Sequence, residues 1–200
     1  MLRIISFSLL VLLLAACGRS QPTAYYAFKA EGHAVSATQL PKTTLRIARV
    51  AIPQYLERDS VILREPNSVA ITVDSLNVWA EPLGDGIRRS VHTVLLEPLL
   101  EQGITVLPLS TEANGTYALF IDVLRLEGTK NGTAHLTAQW SLVANDNTKI
   151  VCDGIYSDEK EVQAGTYAGL VEAEGELVTG CARQILENIT ARLASSARRK

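Results

Sequence analysis

One continuous apolar stripe near the C-terminus constrains the fold more than any other feature. Between Gly165 and Ser195, the residues Tyr167, Leu170, Val171, Leu177, Val178, Cys181, Ile185, Leu186, Ile189 and Leu193 recur at helical spacing. A long helix with one apolar side needs a second layer to cover it. A second stripe, Leu83, Ile87, Val91, Val94, Leu95 and Leu99, lies in a segment predicted to be helical from Trp79 to Gln102. Glu81 and Asp85 suit the positive end of that helix, and Gly103 suits its stop. Pro98 falls inside the pattern and is expected to kink it or split off the last turn.

The other apolar segments read as strands. Before the first helix these are Tyr25–Lys29, Leu45–Ile52 (stopped by Pro53), Val61–Glu65 and Val69–Val73, the last two joined by the turn Pro66-Asn67-Ser68. After it come Ile104–Leu107, Thr116–Glu127, Thr133–Ala144 and Lys149–Tyr156, with Asn131-Gly132 marking a hairpin and Asn145-Asp146-Asn147 a turn. The polar stretch His33–Lys42 reads as a loop. Apolar residues make up 47% of the chain, enough for a real core. The order of elements predicts a single α/β domain, residues 25–197, with a mixed β-sheet covered by two long helices.

The N-terminus carries an address. Arg3 precedes an apolar run from Ile4 to Leu14, and Ala15-Ala16 follow. Residues 1–16 read as a signal peptide, because the run is too short to span a bilayer as a helix. Leu14-Ala15-Ala16-Cys17 resembles the bacterial lipobox, which implies cleavage before Cys17 and acylation of its sulfur. Each buried CH₂ of such an anchor contributes about 0.8 kcal/mol, so several acyl chains such as palmitate hold permanently. Gly18 follows the cysteine, and resemblance to lipoprotein sorting signals then implies the outer membrane. Residues 17–24 form a short lipidated tether, so the domain sits close to the periplasmic face of its membrane.

Charge and chemistry exclude several functions. The formal net charge is −2, so the chain lacks the basic face a nucleic-acid partner requires. No two of its three histidines and three cysteines lie within four residues of each other, so no metal centre or cofactor is expected. His92 has Ser90 and Asp85 nearby, but no strained nucleophile turn accompanies them, and a boundary histidine is the simpler reading. Gly84-Asp85-Gly86 lacks a third glycine and a preceding strand, so it is a weak phosphate signal. Asp158-Glu159-Lys160-Glu161 lacks calcium-loop spacing and reads as a solvated loop. An oxidising periplasm would permit a disulfide between Cys152 and Cys181, while burial of both as small apolar side chains is the alternative.

One series of short motifs is unusual. Val50-Ala51-Ile52-Pro53-Gln54-Tyr55-Leu56-Glu57-Arg58 is followed by Val61-Ile62-Leu63-Arg64 and then by Trp79-Ala80-Glu81-Pro82-Leu83. Order and spacing resemble the PqiC-like family of ABC-type transport auxiliary lipoproteins. The resemblance implies a non-catalytic outer-membrane component of an MCE-type ABC lipid transport system that bridges two membranes. It further implies an MCE-domain periplasmic protein as partner and a homo-oligomeric ring. Tyr55, Arg58, Trp79 and Glu81 are then the candidate partner contacts. Trp79 reads equally as an exposed anchor or as a core tryptophan. Two other readings compete: a periplasmic lipid or small-molecule carrier with its own apolar pocket, and a hydrolase using a serine or His92.

Overall fold

Alternation of apolar and polar residues builds the longest strands. In a computed structural model, residues 21–32, 39–66, 68–111, 113–145 and 149–198 are described. The signal peptide, Cys17, most of the His33–Lys42 loop, Asn67 and residues 146–148 lie outside them. Eight strands are described: β1 Ala24–Tyr26, β2 Thr43–Ile47, β3 Ser60–Leu63, β4 Thr72–Trp79, β5 Ile104–Val106, β6 Tyr117–Gly128, β7 Thr133–Ala144 and β8 Ile150–Glu161. Helix α1 is Leu83–Glu101 and helix α2 is Tyr167–Ala197.

Instead of one mixed sheet there are two. Five strands run in the order β5-β2-β6-β7-β8, and three in the order β1-β4-β3. In the larger sheet β2 lies parallel to both β5 and β6, while β6, β7 and β8 form an antiparallel meander. The break comes after β2. Pro53 starts a 3₁₀ turn, Gln54–Leu56, that lifts the chain away from the sheet before β3 begins. The predicted Leu45–Ile52 strand is regular only to Ile47; beyond it the Ala48 N–H still donates to the Leu119 carbonyl and Ala51 bridges to Asp122, until Pro53, which has no ladder donor, ends the contact. The strand predicted over Val69–Val73 runs on to Trp79, because β1 pairs with its second half. Trp79 therefore closes a strand and does not open the helix.

Both helices pack into one shared core. The predicted α2 stripe is buried at Leu170, Leu177, Val178, Cys181, Ile185, Ile189 and Leu193, against β7 and β8. Each fully buried Leu or Ile contributes about 1.5–3 kcal/mol, so this face dominates the core. Thr166 caps the helix, its hydroxyl accepting from the Gly169 N–H at 3.0 Å. Helix α1 packs on α2 and on β5, and Arg88 donates from both Nε and Nη2 to the Ile47 carbonyl of β2. Helix α1 continues through Pro98 as one helix, so the last turn is not split off. Pro98 is itself buried beside Val94, Leu95 and Leu99, so packing offsets the lost backbone hydrogen bond. Gly103 follows with φ +93°, the left-handed conformation in which glycine is at ease. Trp140 is the largest fully buried side chain, and its ring lies over Gly154, where an added Cβ would come within 2.9 Å of it.

Candidate functional site

The motif residues surround the 3₁₀ turn and the corner between β4 and α1. The turn sinks Leu56 into the core and leaves Tyr55 half-buried against the end of β6. The Tyr55 hydroxyl donates to Glu127 Oε2 at 3.1 Å. Arg64 Nε pairs with the same oxygen at 2.7 Å, and its guanidinium lies over the Tyr55 ring, 5.5 Å from the centroid. Arg125 Nε donates to the other oxygen at 3.0 Å. Glu127 is only 4% exposed, so two cations and a phenol hold a buried carboxylate. Burial and the Glu127 charge push the Tyr55 phenol up, and the bond to Glu127 pushes Arg64 up.

A second buried acid lies near this network. Glu174 on α2 is 2% exposed, and its Oε2 has no hydrogen-bond partner. Burial, helped by the negative charge of Glu127, pushes its carboxyl up to about 8. The side chain is therefore mostly protonated at neutral pH.

The other motif residues stand apart from these acids. Arg58 is exposed, and its Nε donates to the Tyr55 carbonyl at 2.8 Å. Trp79 is half-buried, its ring tilted against Phe28 at 5.1 Å, and its backbone N–H donates to the Asp59 carbonyl. Glu81 Oε1 accepts from Arg89 Nε at 3.0 Å, and Arg89 also reaches the Phe28 carbonyl. Tyr55 and Arg58 thus share a turn, Trp79 and Glu81 share a corner, and the Trp79–Asp59 bond joins the two. Arg58 borders a cleft of about 290 Å³ with Arg49, Glu57, Asp59 and Asp85. The accessible part of the site is this charged corner; Trp79 largely builds it. Trp79→Ala is expected to cost about 2 kcal/mol in urea unfolding, from lost contact with Phe28 and the core.

Sequence reasoning missed the buried acids and their cations, although signals were present. Arg64 ends the second motif. Arg125 and Glu127 are two apart on a strand, hence on one face. Glu174 interrupts the apolar stripe between Leu170 and Leu177.

The structure also places the remaining candidates. Cys152 and Cys181 are unbonded, and burial pushes their thiols up to about 11 and about 12. Burial lowers the pKa of His92, and the buried Ser90 hydroxyl donates to the Gly86 carbonyl within the helix at 2.9 Å. Among the described residues no three His, Cys, Asp or Glu side chains could hold a metal ion. No helix among them is long and apolar enough to cross a membrane. A cleft of about 710 Å³ lies between residues 26–31, β8 and α2. Lys29, Glu31, Asp158, Lys160, Glu176 and Arg183 line it, so it is a charged groove.

The family model described as the ABC-type transport auxiliary lipoprotein component matches residues 26–186. No curated protein sequence matches the chain. Among solved structures, protein XCC0632 from Xanthomonas campestris is similar at 16% identity and TM-score 0.70, covering 88% of this chain and 99% of its own. A crystal structure of an uncharacterized protein is similar at 18% identity and TM-score 0.70, covering 84% and 99%. The hypothetical protein CT253 from Chlamydia trachomatis follows at 8% identity and TM-score 0.53, covering 78% and 99%. At these identities the likeness concerns the fold.

Proposed function

From its place in the family of ABC-type transport auxiliary lipoprotein components, to which the chain belongs, we propose that it is the outer-membrane lipoprotein of an MCE-type ABC lipid transport system. It is fastened through Cys17 and tethers the far end of an MCE-domain periplasmic protein, without catalysing a reaction. Copies of the chain assemble into a ring around that end. The observation that carries this reading is the coincidence of the family match over residues 26–186 with a lipobox at residues 14–17. The exposed corner bearing Arg58 supports it, because charge on a surface steers a protein partner more than it holds a small molecule.

Extraction in mild detergent tests the proposal. The MCE-domain protein is expected to co-purify with the intact lipoprotein, and Arg58→Glu should weaken that capture about tenfold, since reversing a contact charge costs about 1–2 kcal/mol or more. Capture of no MCE-domain protein by the folded lipoprotein would overturn the assignment. Cys17→Ala is expected to leave a folded protein that is absent from the membrane fraction, as scored by fractionation and by mass spectrometry of the N-terminus.

A further inference from the structure

The helices cover one face of the five-stranded sheet, and alternation sends every second strand residue to the other face. Leu119, Ile121 and Val123 of β6 and Ala138, Trp140 and Leu142 of β7 are buried on the helix side. Phe120 and Asp122 of β6 point the opposite way, level with Ser141 and Gln139 of β7. On β8, Asp153 and Ile155 continue the same two rows. The Glu127 end of this second face lies under Tyr55 and Arg64. Its middle is open and carries large apolar side chains. Phe120 and Leu124, the latter in the β6 bulge, are exposed, as are Ile150 and Ile155 of β8, the last at 63%. Two apolar ridges thus flank β7, whose side chains between them, Thr137, Gln139 and Ser141, are polar.

Size and charge decide what such a face fits. Strands β6, β7 and β8 have 12 residues each. Side by side they cover about 40 Å by about 14 Å, on the order of 600 Å² in flat projection. A stable protein contact takes about 800 Å² of accessible surface from each side, and side chains make accessible surface larger than its projection. A small ligand needs a concave site, which ridges on a sheet do not supply. Asp122 and Asp153, set among the apolar side chains, rule out lipid hydrocarbon. The charges on the face are mixed. Arg46, Arg125 and His135 stand against Asp122, Asp153, Glu159 and Glu161. His135 pairs with Glu159 at 3.3 Å, and Arg125 is tied to Glu127. Such a face does not select a partner of one strong charge. With a formal net charge of −2, copies of this chain repel one another little.

We propose that this open sheet face is the surface through which each copy of the chain packs on a second copy. This rests on the ring reading and names one side of the contact that builds the ring. The face of one copy seats on a different patch of the next, as a closed ring of equivalent subunits requires. The corner with Arg58 then stays free for the periplasmic partner.

Sedimentation equilibrium of the acylated full chain in density-matched mild detergent tests the contact. The wild type is expected as an assembly of several copies. Ile155→Lys puts a charge where the contact excludes water, and should raise the dissociation constant about 100-fold. Gln139→Glu keeps the size of an exposed side chain at the centre of the face, and should raise it about tenfold. Val69→Lys, at a position 97% exposed on the β3–β4 connection of the other sheet, should leave it unchanged. Urea midpoints check that each variant is folded, and Gln139→Glu decides if Ile155→Lys lowers its own. An assembled wild type that the folded face variants do not weaken overturns the assignment of the face and leaves the ring standing. So does a Val69→Lys variant that dissociates as they do. A monomeric wild type overturns the ring and the contact with it.

Discussion

Glu174→Gln should stabilise the protein strongly at pH 8 and barely at all at pH 4. In the folded chain the Glu174 carboxyl binds its proton up to about pH 8, and in the unfolded chain it releases it near 4.5. A folded-state value raised in this way gives stability that is fully present below the unfolded value. It is lost as the pH rises through the folded one. Each pH unit across that window removes roughly 1 kcal/mol, so the wild type is weaker by on the order of 3 kcal/mol at pH 8 than at pH 4. Glutamine has no proton to lose and keeps the shape, so the variant escapes this slope. Urea unfolding at both pH values checks it. A variant with the wild-type pH profile would mean that Glu174 is not the group responsible.

Glu127→Gln is expected to act in the opposite direction, with a loss of about 3 kcal/mol at pH 7. The buried carboxylate neutralises Arg64, 23% exposed at its side chain, and Arg125, and it accepts from Tyr55. An uncharged amide leaves the more buried guanidinium without its counter-charge. The substitution has a second signature. The Glu127 charge helps to raise Glu174, so its removal should move the upper end of the Glu174 pH window downward. The two substitutions should therefore be non-additive in a double-mutant cycle, as expected for groups that share a field. A loss under about 0.5 kcal/mol with strictly additive energies would show that the network is not coupled.

The helices and long strands were legible because their apolar periods are long. The members of the α2 stripe are buried as expected from Leu170 to Leu193, and Tyr167 at its start is half-buried. The 12-residue strands β6 and β7 were bounded to within a residue, since alternation on one face leaves a clear period of two. Three expectations fail for local reasons. Asp158-Glu159-Lys160-Glu161, expected as a loop, closes β8, because residues 133–136 of β7 pair with it. Pro98 does not split off the last turn of α1, because a buried face on both sides of it outweighs one missing donor. Trp79 reads as a helix start beside Glu81 and Pro82, but pairing with β1 keeps Asn77, Val78 and Trp79 in a strand, and the helix begins only at Leu83.

The candidate site was legible by position and not by role. Tyr55, Arg58, Trp79 and Glu81 all stand around one corner, yet only Arg58 is fully exposed. Which ones serve the protein's own fold depends on Phe28, Arg89 and Glu127, far away along the chain. The element types, the apolar faces and the family resemblance are written in neighbouring residues and short spacings. The division of the strands into two sheets, the parallel pairing of β1 with β4, and the buried field shared by Glu127 and Glu174 emerge only on folding. Pairing partners and desolvation are set by which distant segments come together, and the local period of a chain carries no record of that.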